Sequence, residues 1–256
     1  MIRPYILAET NWKTVKETDY QVAILPWGAT EAHNYHLPYA TDTIQADYVA
    51  AESARLAWDA GAKVIVLPTV PFGVNPGQFG VKLCINMSPS TQFAVLKDIA
   101  DVLSRQKIQK LVIMNGHGGN NFKQMIRELY IYFPDIFVCA MDWYKAANWH
   151  LFFDEPGDHA GEMETSVIMK IAPQWALPLS EAGDGKEKKF RLKGLKEGWV
   201  ISQRLWTSIT DDTGVGNPYK ATPEKAEKYL TTVTQNIADF FVELANCPLE
   251  DLYEKS

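Results

Sequence analysis

Short, continuously apolar runs alternate along this chain with stretches in which apolar residues recur every three or four positions. Val22-Ala23-Ile24-Leu25, Lys63-Val64-Ile65-Val66-Leu67, Leu111-Val112-Ile113-Met114 and Ile136-Phe137-Val138-Cys139-Ala140 read as four strands. Runs this short and this uniformly apolar suit strands covered on both faces of a sheet. Helices are expected over 43–60, 90–104 and 120–132, and Gly61 stands where the first should end, at a position that favours left-handed backbone. The last helix carries the fullest set of signals. Thr222 suits the N-cap, Pro223 the first turn and Glu224 the positive end of the helix dipole. Behind them Ala226, Tyr229, Leu230, Val233, Ile237, Phe240, Phe241 and Leu244 fall on one helical face. Strands interleaved with helices predict an α/β fold.

One segment breaks the pattern. Residues 183–206 are rich in lysine and glycine, as in Gly185-Lys186-Glu187-Lys188-Lys189, and show no period. The expectation is an exposed excursion, a solvated charge run with a hairpin as its one regular option.

Bulk properties narrow the function classes. The chain has 256 residues, 46% hydrophobic and 22% charged, ordinary values for a globular protein. A net charge of -6 offers no basic footprint for nucleic acid. Cys84, Cys139 and Cys247 are far apart and form no CxxC pair, so no disulfide framework is expected and a reducing compartment fits. The first residues lack the apolar core of a signal peptide, and no window approaches 18 uninterrupted apolar residues. The expectation is a cytoplasmic protein that engages neither membrane nor nucleic acid.

Candidate chemistry follows the strands. After the first come Glu31-Ala32-His33, His36-Leu37-Pro38 and Thr41-Asp42; after the third comes Asn115-Gly116-His117-Gly118-Gly119-Asn120. Beyond the fourth lie Asp142-Trp143 and then Asp158-His159-Ala160-Gly161-Glu162-Met163-Glu164-Thr165-Ser166. Four of the five histidines (His33, His36, His117 and His159) sit in these stretches, and sites in open α/β sheets form beyond the carboxyl ends of strands. Glu31 and His33, two apart in extended chain, project to one side, and Asp42 can return to them through the Pro38 turn. Carboxylates with imidazoles suit zinc or manganese, and the number of candidate ligands exceeds what one open ion needs, so an aspartate bridging two ions fits. The glycine turn around His117 could instead cradle phosphate, although it is neither GxGxxG nor a P-loop. Trp143 and Trp149 could wall a substrate pocket or fill core. The Gly73-Val74-Asn75-Pro76-Gly77-Gln78-Phe79 loop is read as a plain turn, with a lid as the alternative.

At these residues the chain resembles the creatininase (creatinine amidohydrolase) family. The resemblance is carried by Gly28-Ala29-Thr30-Glu31-Ala32-His33 with His36-Leu37-Pro38 and Thr41-Asp42, by Asn115-Gly116-His117-Gly118-Gly119-Asn120, and by His159 to Ser166. Gly214-Val215-Gly216-Asn217-Pro218 and Ala221 to Ala226 complete it, so it spans nearly the whole chain. It implies one domain over 1–256, a three-layer α/β/α sandwich with a mostly parallel central sheet, and a centre of two divalent ions, zinc and/or manganese. It also implies hydrolysis of a small cyclic amide or formamide and a homo-oligomer, with the hexamer as the family's habit. Carried over by position, Glu31, Asp42 and His117 would hold one metal, His33 and the bridging Asp42 the second, and His159 would move the proton. Creatininase has a glutamate two residues past the histidine of the glycine turn, where this chain has Gly119. Glu164 is the expected replacement, while Glu162 should point to another face. Gly118, Gly119 and Trp143 are expected at the substrate. A metallopeptidase acting on a small peptide and a non-catalytic metabolite-binding protein are the rival readings, because a fold does not fix a substrate.

Overall fold

The computed structural model describes residues 2–254. Four parallel strands, β1 (Val22–Trp27), β2 (Val64–Val66), β3 (Lys110–Asn115) and β4 (Phe137–Asp142), form a sheet in the order β2-β1-β3-β4. Every residue of β1 is buried, since strands flank it on both sides and helices cover both faces. The period-two alternation of a strand divides its side chains between two cores. Val22 and Ile24 face the helices α2 (Thr41–Asp59), α5 (Glu162–Ile171) and α8 (Pro223–Asn246), packing with Val49, Val167, Tyr229 and Phe241. Ala23, Leu25 and Trp27 face α3 (Pro89–Arg105) and α4 (Lys123–Tyr132), where they meet Leu96, Leu103 and Leu129. The result is the three-layer α/β/α arrangement.

α8 forms as its sequence signals require. Thr222 caps it by accepting a hydrogen bond from the Lys225 N–H at 3.3 Å. α2 starts two residues before the expected position, which moves Asp42 into its first turn, where the helix dipole favours a carboxylate. β4 departs from the expectation of burial on both faces. It is the edge of the sheet, half-buried along its length, with Ala140 exposed. A short α1 (Trp12–Lys16), capped by Asn11, precedes the sheet.

Two small strands outside the sheet have a specific task. β5 (Gly157–His159) pairs antiparallel with β6 (Val215–Gly216), with His159 opposite Val215. The glycine-rich C-terminal motif is thus the rail on which His159 is mounted. Residues 183–206 form no hairpin and contain only the single turn of α6 (Lys193–Lys196) before α7 (Trp206–Ile209) begins. Their exposure is as expected over most of the length; Leu192, Trp199 and Ile201 are all exposed. The end of the segment is not, because Trp206 is buried. The excursion is tied down by Asn34, whose side chain accepts from the Gly183 N–H at 2.7 Å and donates to the Gly183 carbonyl at 3.1 Å. Among the described residues all three cysteines are free, and no helix is long and apolar enough to cross a membrane.

From β1 the chain crosses to β2 on one side, then returns to β3 on the other. The segments leaving the carboxyl ends of β1 and β3 diverge there and open the crevice in which such sheets place their sites.

Candidate metal centre

Five side chains converge in that crevice. Glu31 and His33 arrive from the end of β1, Asp42 from the first turn of α2, His117 from the turn after β3 and Glu164 from the first turn of α5. His117 Nδ1 lies 2.9 Å from Glu31 Oε1 and 3.0 Å from Asp42 Oδ2. His33 Nε2 lies 3.0 Å from Asp42 Oδ1 and 3.9 Å from both Glu31 Oε1 and Glu164 Oε1. Donor atoms gather into three overlapping sets: Glu31, Asp42 and His117; His33, Asp42 and Glu164; and Glu31, His33 and His159. Asp42 offers one oxygen to each of the first two.

The imidazoles share one feature. Each is tied by one ring nitrogen to a backbone carbonyl: His33 Nδ1 to Glu31 at 3.1 Å, His117 Nε2 to Val74 at 3.2 Å and His159 Nε2 to Ala32 at 2.8 Å. The other nitrogen of each ring is thereby turned on the carboxylates, as ligating histidines are usually oriented. Two carboxylate oxygens, Glu31 Oε1 and Asp42 Oδ2, are buried without a hydrogen-bond partner. His117 Nδ1 stands near both and is aligned with neither. Two anionic oxygens in a dry site are costly unless a cation neutralises them, a part that protonated His33 and His117 or divalent ions held between these groups can take. The donor set therefore fits divalent ions.

The charges hold one another in place. Burial opposes protonation of His33, but Asp42, with help from Glu164 and Glu31, outweighs it and holds the imidazole up at about 10. Burial likewise opposes protonation of His117, yet Glu31 and Asp42 raise it well above its ordinary value. Burial alone would raise Asp42; His33 and His117 pull it below the usual carboxylate range instead. Glu164 goes the other way, to about 7, because its burial outweighs the pull of His33. His159 is pushed down to about 4 by burial and the neighbouring His33.

His159 packs its ring 4.1 Å from that of His33 and 4.6 Å from Trp206. Ala160, next to it, has a left-handed φ of 51° and directs its N–H onto Glu164 Oε2. This non-glycine left-handed turn brings His159 and Glu164 to the same centre. Glu162 faces elsewhere, as expected. Its carboxylate accepts from the Asp154 and Glu155 N–H groups and pairs with Lys225, tying a loop to α8. Gly118 and Gly119 line the cavity above the centre. A β-carbon at Gly119 would stand 2.4 Å from His117 Nε2 and 2.5 Å from the Val74 carbonyl, so no carboxylate can be built there without moving the loop.

Other residues fall differently from expectation. Trp143 does not wall the cavity. The turn after β4 drives it fully into the core between Tyr144 and Tyr229, and Trp149 lines the cavity instead. His36 is buried, with its Nε2 3.0 Å from Thr165 Oγ1. His150 is exposed and stacked on Trp149. The 73–79 loop is more than a turn. Val74, Asn75, Gly77 and Gln78 line the cavity, and the Gln78 amide donates to Glu31 Oε2. Asn75 can turn its own amide nitrogen to that oxygen at 3.0 Å. Arg204 and Trp206, from the far end of the excursion, form the roof. No local signal marks Gln78 or Trp206 in the sequence; a glutamine beside a Pro-Gly turn and a tryptophan after a charged run carry no period and no motif.

The cavity measures about 750 Å³ and is walled by Tyr144, Trp149, Met163 and Trp206, with Lys145 and Arg204 among its polar groups. The family profile for creatininase, described as creatinine amidohydrolase, matches residues 8–241. The chain belongs to the creatininase family. A Bacteroides fragilis NCTC 9343 crystal structure provisionally named a creatinine amidohydrolase is 44% identical, with a TM-score of 0.93 over 99% of this chain and 100% of that one. A creatininase variant in its Zn–Zn form shares the fold at 22% identity and a TM-score of 0.77, covering 93% of this chain and 97% of its own. Among curated relatives, the mycofactocin precursor peptide peptidase of Mycolicibacterium smegmatis is 24% identical over 221 residues, which is 85% of this chain and 83% of that protein. The creatininase family is hydrolytic.

Proposed function

We propose that this protein is a metal-dependent amidohydrolase that cleaves the C–N bond of a small cyclic amide or formamide. Glu31, Asp42 and His117 would hold one divalent ion, and His33, Asp42 and Glu164 a second. The observation that carries the reading is the set of buried imidazoles, each anchored to a backbone carbonyl by one ring nitrogen and turned by the other on a carboxylate, together with two carboxylate oxygens beside His117, Glu31 Oε1 and Asp42 Oδ2, that accept no hydrogen bond. A donor set of oxygens and imidazoles without thiolate suits zinc or manganese, and the Zn–Zn form of a creatininase supports a pair of ions. Bound there, such ions supply Lewis acidity toward a carbonyl oxygen.

The chain's own groups do the rest. His159 donates its Nε2–H to Ala32 and so keeps Nδ1 free on the side of the centre, 3.7 Å from Glu31 Oε1. Burial favours its neutral form, able at Nδ1 to take a proton from the attacking water as the C–O bond forms and to deliver it to the departing nitrogen as the C–N bond breaks. Glu31 stands where it favours the imidazolium formed in between. Trp206 lies against the His159 ring and limits the water that reaches it. Gly118 and Gly119 offer a wall without side chains to the amide. The closed space at Gly119 argues against creatinine itself, since creatininase carries a glutamate at that position.

A second substrate reading, the end of a short peptide, is favoured by one observation. A cavity of about 750 Å³ lies toward the upper end of the range for small-molecule sites and exceeds what a single small ring would fill. The relatives named mycofactocin precursor peptide peptidase point the same way. The test is turnover by zinc- or manganese-loaded protein of a panel of cyclic amides, N-formyl compounds and short peptides, together with elemental analysis. Metal content near two ions per chain and hydrolysis of one class are expected. Protein that retains neither metal and hydrolyses nothing refutes the reading.

A further inference from the structure

Glu31 is held by a closed circuit of hydrogen bonds that the proposed chemistry does not use. The Ala32 N–H, one residue after Glu31, donates to Cys84 Sγ at 3.2 Å. The Cys84 thiol donates to Gln78 Oε1 at 3.0 Å, and Gln78 Nε2 donates to Glu31 Oε2. The direction of each bond is fixed by the one before it. Because the sulfur already receives the Ala32 proton, its own proton points to the amide oxygen, and the amide nitrogen is left to face the carboxylate. Gln78 is 1% exposed and Glu31 1%, so water does not compete for these groups. The consequence falls on the other carboxylate oxygen. With Oε2 engaged, Oε1 is the one aimed at His117 Nδ1, His33 Nε2 and His159 Nδ1, and it is one of the two orphaned oxygens.

We propose that Gln78, itself fixed by Cys84, is a positioning residue that locks Glu31 as a one-oxygen ligand of the metal centre. The proposal rests on Glu31 holding a metal. Partners behind a ligand change metal affinity by roughly 10–100-fold when removed. Gln78→Met keeps the length of the side chain and deletes the amide donor, so zinc affinity should fall by about that factor. Asn75 can reach the same oxygen, so the loss is partial. Cys84→Ala should weaken zinc binding by a smaller factor. Cys84→Ser, which keeps a donor and an acceptor, should restore most of it.

The experiment is chelator-competition titration of zinc into the full-length wild type, Gln78→Met, Cys84→Ala and Cys84→Ser, with the melting temperature of each metal-stripped protein measured alongside. A purely structural role for the circuit would lower the melting temperature and leave the zinc affinity of the folded protein unchanged, which overturns the proposal. If Gln78→Met does not fold, the two cysteine variants decide: equal affinity in Cys84→Ala and wild type overturns it, and weakening rescued by serine supports it. Wild-type protein that takes up no zinc overturns the metal centre and the proposal together. Wild type that binds while Gln78→Met binds equally well overturns the proposal alone.

Discussion

The floor and the roof of the cavity are built in different ways. The floor is Glu31, His33, Asp42 and His117, buried side chains fixed to the ends of β1 and β3 and the start of α2 and braced by backbone carbonyls. The roof is the stretch 201–206, which comes at the end of an irregular excursion held by Asn34 at Gly183, by backbone bonds from the Gly216 N–H to Gly185 and from the Lys188 N–H to Ile209, and by Arg204 on Asp158. A rigid sheet end can hold charged ligands to within tenths of an ångström, and an exposed loop is free to differ in length and shape. The comparison teaches where chemistry and specificity are divided in this protein. On the proposed function, the floor would set what reaction is possible and the roof what fits beneath it.

Three substitutions test that division, and the floor should give the largest effect. Asp42→Ala removes the carboxylate common to both proposed ion sites. Elemental analysis should find both ions gone and amide turnover lost; retention of one ion would show that Asp42 does not bridge. His159→Asn comes next. If His159 only moves the proton, turnover should fall by roughly 10²–10⁴-fold while metal content stays at the wild-type level. Loss of an ion in that variant would place His159 among the ligands instead, through its proximity to Glu31 and His33. The smallest effect belongs to the roof. Trp206→Ala should leave metal content intact and lower kcat/KM by about tenfold, the scale of one hydrophobic contact in a pocket, with the change depending on substrate size. A uniform loss across substrates of every size would mean that the roof acts through His159 rather than by shape.

The same contrast governs what could be read without the structure. The four strands, the alternating helices and the capped last helix are written in local periodicity, because burial on a sheet or helix face imposes a period on the chain. The floor was legible for a related reason. Charged and imidazole residues just beyond apolar runs are conspicuous, and Glu31, His33, Asp42 and His117 stand there; Glu164 joined them only through the family resemblance. β4 looked like its neighbours, because the sequence of a strand records its faces and not whether another strand lies beside it. Trp143 followed a strand as the ligands do, yet the turn after β4 folds it inward to Tyr229.

Taken alone, the amino-acid sequence determined the alternation of elements and the family, and it offered the carboxylates and imidazoles that the fold brings together. Each of these depends on residue type and spacing within a few positions of the chain. Tertiary structure alone decided which oxygen of Glu31 faces the centre, since that depends on Gln78 and Cys84, 47 and 53 positions away along the chain. It also decided that Trp206, at the end of a segment that reads as a solvated charge run, comes to lie on the His159 ring. Both are contacts between distant segments, and a hydrogen bond or a ring contact of that kind leaves no period in the sequence from which it could be read.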